Sequence, residues 1–210
     1  MCGITGIINA KNSSTSIVVS KMLELQHHRG PDANGLWESD NVFLGHNRLS
    51  IIDLDAKANQ PMHSHDKRYV MVYNGEIYNY KAIKKELNFN QWRTQSDSEV
   101  LLQAYAEWGA NCLSKLNGMF AFAIWDKQRK ELFIARDRLG IKPVYYSLLG
   151  GQFLFASELR TILKSGLVDK EVNLQSVFEF LRHQWIHTPN TIIKGIHVLP
   201  AGSFGVFKVE

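Results

Sequence analysis

The second residue of the chain is a cysteine followed by glycine, and its position gives it a chemistry that few cysteines have. An initiator methionine ahead of a side chain as small as cysteine is normally removed. The chain would then begin at Cys2, with a thiol and a free α-amine on the same residue. An α-amine titrates near roughly 7.7–8.0 and a thiol near roughly 8.5. The amine can therefore serve as base for its own side chain, directly or through one water. Such a thiolate attacks a carbonyl carbon without a catalytic histidine. A chain that kept Met1 would be inactive, because an acylated nitrogen is no base and Met1 would fill the substrate's space. Met-Cys-Gly alone can begin any protein, so the reading needs support from elsewhere. The second cysteine, Cys112, falls in the helical-looking stretch Trp108–Leu116 and reads as a buried, inert thiol. His27 with His28, and His63 with His65, raise the question of a metal. No acidic residue completes a ligand spacing with them, and turn and surface roles are expected.

These residues need a scaffold, and 210 residues supply enough chain for a real core. Hydrophobic residues make up 45% and charged residues 21%, which fits an ordinary globular chain. No apolar run approaches the roughly 20 residues that cross a bilayer. No basic region precedes an apolar block at the N-terminus, so a cytoplasmic protein away from membranes is expected. The net charge of +4 comes from small scattered groups such as Lys81, Lys84 and Lys85. They are not interleaved with stacking aromatics, which argues against nucleic acid as a partner. Two cysteines without a C-x-x-C spacing give neither a disulfide framework nor a zinc site.

Periodicity and turn chemistry then lay out the elements. Strands are expected at Cys2–Asn9, Asn41–Asp53, Tyr69–Tyr78, Met119–Asp126, Leu132–Asp137, Val144–Leu149 and Gln152–Ser157, with a strand-like end at His197–Val209. Helices are expected at Ser13–His27, Asn79–Leu87, Ser96–Leu116, Glu158–Lys164 and Leu174–His183, with Ser96 and Asp97 where caps belong. Arg29–Gly35 reads as a turn, Asp55–Lys67 as a loop and Gly150–Gly151 as a hairpin turn. Met119–Ile124 is apolar at every position, so both its faces must be covered. Grouped strands with paired helices argue for stacked sheets flanked by helices. No repeat or linker divides residues 1–210, which are read as one domain.

Seven segments then fall in one order: Met1–Asn9 (MCGITGIIN), His28–Gly35 (HRGPDANG), Gly45–Asp53 (GHNRLSIID), Tyr73–Tyr80 (YNGEIYNY), Ser96–Leu101 (SDSEVL), Leu116–Asp126 (LNGMFAFAIWD) and Ala135–Tyr145 (ARDRLGIKPVY). In this order they resemble the class II glutamine amidotransferases, and within them the N-terminal glutaminase domain of asparagine synthetases. The likeness runs from Met1 to about Gly202. It implies an α+β fold, the four-layer αββα sandwich of the N-terminal nucleophile hydrolase type. It also implies an enzyme in which Cys2 attacks the side-chain amide of glutamine, ammonia leaves, and water releases glutamate from a thioester.

The resemblance assigns roles residue by residue. Arg48 would clamp the substrate α-carboxylate, a task that suits a planar guanidinium. Leu49, Ser50, Ile51 and Ile52 would form the adjoining pocket wall and offer backbone groups. Asn74 and Gly75 would make the oxyanion hole, through a side-chain amide and a backbone N–H. Glu76 and Asp97 would be the acidic partners, with Asp97 on the substrate ammonium; Asp97 also reads as a helix cap. Neither a metal nor a cofactor is implied in this chain. ATP and magnesium are expected only in a C-terminal synthetase domain, whose Ser-Gly-Gly-x-Asp-Ser phosphate loop the sequence lacks. That domain and glutamine are the implied partners, and a homodimer stays open. The ammonia acceptor, aspartate or another carboxylate, is not readable here. The alternative is a non-catalytic glutamine-binding or interaction module of the same fold.

Overall fold

A computed structural model describes residues 1–10 and 14–209. Strands β1 (Gly3–Ile8), β2 (Ala33–Ser39) and β3 (Val42–Arg48) follow one another around helix α1 (Thr15–Leu25). After them come β4 (Met62–His63), β5 (Tyr69–Ile77), α2 (Tyr80–Glu86), α3 (Asp97–Trp108) and α4 (Cys112–Lys115). The second half holds β6 (Gly118–Asp126), β7 (Glu131–Arg136), β8 (Tyr145–Leu149), β9 (Gln152–Ala156), α5 (Leu159–Lys164), α6 (Leu174–His183), β10 (His197–Val198) and β11 (Phe204–Lys208). Among the described residues the strands form two antiparallel sheets, ordered β10-β8-β9-β1-β3-β2 and β11-β7-β6-β5-β4. No helix among the described residues is long and apolar enough to cross a membrane.

Three apolar clusters define the layers. Ile7, Phe43, Leu154 and Ala156, from the outer face of the first sheet, pack with Val19 and Met22 of α1 and Ile162 of α5. Tyr73, Ile77, Phe120, Phe122 and Ile124, from the outer face of the second sheet, pack with Ile83 of α2 and Leu101 of α3. Between the sheets lie Ile4, Ile8, Val42, Leu44, Val70, Val72, Ala121, Ala123 and Trp125. The order is therefore helix, sheet, sheet, helix. Strand β6 is covered on both faces, with even-numbered residues against helices and odd-numbered ones against the opposite sheet, which explains its unbroken apolar run.

The period of two in a strand carries these inner rows onward to one end of the sandwich. On β1 the row Ile8, Ile4 leads to Cys2, and on β3 the row Val42, Leu44 leads to His46 and Arg48. On β5 Val70 and Val72 lead to Asn74 and Glu76, and on β6 Ala123 and Ala121 lead to Met119. Each row changes from apolar to polar or flexible side chains at the same end. That end is where a site can open without breaching the core.

Several boundaries differ from the sequence expectation. The strand expected over Asn41–Asp53 stops at Arg48. Asp53 has φ +60, and the Ser50 N–H donates to the Asp32 carboxylate at 2.7 Å, so Leu49–Asp53 bend out of the sheet. The helix expected over Ser96–Leu116 breaks at Gly109, whose φ of 57° and ψ of −141° suit glycine alone. Part of the expected turn Arg29–Gly35 is the start of β2, a half-exposed edge strand that pairs, among the described residues, with β3 alone. Two residues of the expected loop Asp55–Lys67 pair with β5 as β4. The expected strand His197–Val209 is two strands in different sheets, with Gly202 at φ 64° between them. Ser13, the expected start of α1, lies outside the described residues. Gly150–Gly151 does turn the β8–β9 hairpin, with both φ values positive as a type I′ turn requires.

Candidate active site

The polar ends of the inner rows meet in one cleft. Its walls include Cys2, Arg48, Leu49, Ile51, Ile52, Asn74, Gly75, Glu76 and Asp97. Of the residues expected at the site, only Ser50 is not on the wall; its backbone is turned to Asp32 instead. The cleft is also lined by Met1, Gln60, Tyr73, Met119 and Lys142.

Cys2 sits at the mouth of β1, the strand between β9 and β3. The Leu49 N–H donates to its Sγ at 3.4 Å, and the Arg29 Nε–H donates to its carbonyl at 3.0 Å. Burial pushes the Cys2 thiol up from its ordinary value, while the Leu49 N–H and the Arg48 guanidinium pull it down. Met1 is exposed yet lines the cleft, so it stands where a ligand would approach the sulfur.

Arg48 is buried and held in place by the segment that follows it. Its Nη1 donates to the Asp55 carbonyl at 3.0 Å and to Asn59 Oδ1 at 2.7 Å, and its Nη2 donates to the Asp53 carbonyl. Three of the five guanidinium N–H donors are thereby engaged, and the bend at Leu49–Asp53 is what places their acceptors. The guanidinium is fixed in orientation and still borders the cleft.

Asn74 is 1% exposed, and its Nδ2 has no hydrogen-bond partner among the described residues. A buried donor left empty costs free energy, on the order of 1–3 kcal/mol, and such a group is explained when a ligand supplies the acceptor. Gly75 beside it has no room for a side chain, because a Cβ would strike the Met119 carbonyl and the Tyr73 ring. The β-ladder thus brings β5 close to β6 at this point, with Asn74 facing Ala121 and Gly75 facing Phe120.

Asp97 is the first residue of α3, after Ser96, whose hydroxyl accepts from the Glu99 N–H as the helix cap. The expected cap role belongs to Ser96, which leaves the Asp97 carboxylate for the cleft. Its Oδ2 accepts from the Tyr73 hydroxyl at 2.7 Å and from the Ile77 N–H at 2.9 Å. Burial raises its pKa, and those hydrogen bonds oppose the rise. Behind the cleft, His46 is fully buried, with Nε2 at 2.9 Å from the Tyr73 carbonyl, and burial lowers its pKa to about 4. It bridges the sheets as a neutral ring.

The other histidines lie elsewhere. His28 meets Glu158 at 2.8 Å, His63 sits edge-on to Trp37 and His65 to Phe89. Cys112 is fully buried in α4 and does not line the cleft. Sequence reasoning missed Gln60, Tyr73, Met119 and Lys142. Tyr73, Met119 and Lys142 stood inside the quoted motifs, but nothing in their types signalled a site. Gln60 Oε1 accepts from the Tyr73 N–H at 2.6 Å and so steadies the strand that carries Asn74.

A thiol, an empty buried amide donor, a fixed guanidinium and a hydrogen-bonded carboxylate around one cleft can hold an amino acid and attack its side-chain carbonyl. Comparison with known proteins gives the family. A family profile described as a glutamine amidotransferase domain matches residues 1–210. Asparagine synthetase (glutamine-hydrolyzing) 3 of Bacillus subtilis is 40% identical over 203 residues, 93% of this chain and 33% of that protein. The putative asparagine synthetase (glutamine-hydrolyzing) 2 of Methanocaldococcus jannaschii is 36% identical over all of this chain and 44% of its own length. Amidase chry2 of Gibberella zeae is 38% identical over 97% of this chain and 32% of that protein. The chain spans about a third of the length of the first of these relatives. Among solved structures, glutamine phosphoribosylpyrophosphate amidotransferase from B. subtilis superposes with a TM-score of 0.68 at 22% identity, over 79% of this chain and 44% of that one. The helix–sheet–sheet–helix order is accordingly the expected α+β, four-layer αββα sandwich, a fold shared with that amidotransferase. With the profile matched from the first residue to the last, the chain belongs to the glutamine amidotransferase domain family.

Proposed function

We propose that this chain hydrolyses the side-chain amide of glutamine, with Cys2 as nucleophile once Met1 is removed. The observation that carries the reading is the Asn74 amide: a buried donor without a partner among the described residues, in the same cleft as the Cys2 sulfur. An oxyanion formed by attack at the substrate's side-chain carbonyl would take its hydrogen bond, with the Gly75 N–H as second donor. Arg48 would hold the α-carboxylate through its remaining N–H groups, and Asp97 the α-ammonium. Leu49, Ile51 and Ile52 would line the substrate's flank, with Glu76 as a second acidic neighbour.

The reaction balances without a cofactor. The Cys2 sulfur bonds to the amide carbon, the thiol proton passes through the α-amine to the departing nitrogen, and ammonia leaves. Water then adds to the thioester, glutamate departs, and the thiol and amine are restored. In a longer polypeptide the ammonia would serve a synthetase domain, where ATP and magnesium would activate aspartate or another carboxylate. The names and lengths of the relatives support this, and a cytoplasmic location goes with it.

The test is ammonia release from glutamine by the protein with Met1 removed. Glutamate and ammonia should appear one for one, without ATP. Glutamine that binds but is not consumed would favour a non-catalytic module.

A further inference from the structure

Lys142 stands on the turn between β7 and β8, and the fold builds that turn with care. The Asp137 carboxylate accepts from four backbone N–H groups: Phe120 at 3.1 Å, Leu139 at 3.1 Å, Ile141 at 3.0 Å and Lys142 itself at 3.0 Å. The Lys142 carbonyl accepts from Arg136 Nε at 2.9 Å. The backbone of Lys142 is therefore clamped from both sides. The residue is 6% exposed and borders the cleft, and its ammonium has no hydrogen bond or ion pair among the described residues. A lysine turned into a cleft loses part of its hydration, and a role on the outer surface does not explain one that shares the cleft with Cys2 and Glu76.

We propose that Lys142 is an electrostatic activator of Cys2, its positive charge holding the α-amine of residue 2 as free base and favouring the thiolate. This rests on the reading of Cys2 as the nucleophile. A cation nearby disfavours a second ammonium and favours an anion, so one charge serves both groups in the same direction. It leaves the substrate's contacts untouched, which makes Lys142 a positioner of protons rather than a binder of glutamine.

The other charges that face Cys2 are accounted for. From the turn before β2 come Arg29, which holds the Cys2 carbonyl, and Asp32. From β3 comes Arg48, whose guanidinium is tied to Asp53, Asp55 and Asn59. From β5 and α3 come Tyr73, Glu76 and Asp97, the first and last hydrogen-bonded to each other. Glu76 shares the cleft and partly offsets Lys142. Arg29 is ion-paired with Glu158, while Arg48 has neutral acceptors and its charge also favours the Cys2 thiolate; Lys142 adds a further cation, without a partner among the described residues. Burial lowers its own pKa, and the carboxylates of Glu76 and Asp137 resist that fall.

The experiment compares Lys142→Met and Lys142→Arg with wild type, all with Met1 removed and Cys112→Ala as common background. The pH profile of kcat/KM for glutamine should keep its shape in Lys142→Met while its acid limb moves up by about one pH unit. That shift is a loss of about tenfold on the limb and little loss on the plateau. Lys142→Arg should restore the wild-type limb. A second measurement needs no turnover: the pH midpoint of Cys2 alkylation by iodoacetamide should rise in Lys142→Met and stay put in Lys142→Arg. Alkylation that shifts in a protein without glutaminase activity would sink the proposed function and spare Lys142. Equal losses at every pH, or unmoved limb and midpoint, would overturn the proposal. Should Lys142→Met not fold, Lys142→Gln carries the same comparison.

Discussion

The two cysteines of this chain are both raised in pKa by burial, yet only Cys2 lines the cleft. Cys112 is fully buried in α4 beneath Leu116 and the outer face of the second sheet, and its thiol is pushed up to about 12. The relief it receives is one backbone N–H, from Leu113. Cys2 ends an inner row, accepts from the Leu49 N–H and is surrounded by Arg29, Arg48 and Lys142. Burial by itself makes a thiol inert. What distinguishes the position of Cys2, the proposed nucleophile, is the set of fixed charges and donors around it.

That contrast can be broken most severely at Cys2. Cys2→Ala should reduce ammonia release from glutamine to background while the circular dichroism spectrum stays native, since residue 2 lies outside the three apolar clusters. Full activity in Cys2→Ala with loss in Cys112→Ala would reverse the assignment. Next in size is Asn74→Ala, which removes a donor aimed at charge that exists only in the transition state. It should lower kcat by roughly 10²–10³ with KM little changed, as steady-state kinetics would report. Arg48→Lys and Asp97→Asn should act mainly on KM, since each weakens a charge-assisted contact to the bound substrate, of the kind worth about 2–5 kcal/mol when one partner is lost. If Asn74→Ala also changed KM alone, the oxyanion assignment would fail. The smallest effect is expected from Cys112→Ala: near wild-type kinetics, with thermal unfolding showing a stability loss on the order of 1 kcal/mol.

The sequence was legible wherever one face or both faces of an element are buried along their whole length. Strands β1, β5 and β6 carry long apolar runs, and their expected limits fall within about two residues of those observed. Leu49–Asp53 was misread for a physical reason: Leu-Ser-Ile-Ile has the composition of a strand, and only the Asp32 and Arg48 contacts show that it bends into a wall. Edge strand β2 was hidden because it buries little, so Glu38 and Ser39 suit it as well as Trp37 does. At the site, Arg48, Asn74 and Asp97 were singled out through motifs, and the structure gathers them on one cleft. Lys142 was not, because a buried lysine and a solvated one are the same letter. Its role comes from the Asp137 clamp, a tertiary arrangement with no local signature.

One feature of the first sheet sets the dynamics of the N-terminus. Chain ends usually fray, and their amides exchange with solvent quickly. Here β1 lies inside its sheet, paired with β3 from Gly3 to Ile8 and with β9 from Thr5 to Ile8. The Ile4 N–H, beyond the reach of β9, donates instead to the Ser157 hydroxyl at 2.9 Å. In deuterated solvent the amides of this strand should rank among the slowest to exchange, opening only when the whole sandwich opens. The strand behind Cys2 is thus held on both sides, and Cys2 in its proposed role would keep its aim without any ordering step when substrate arrives.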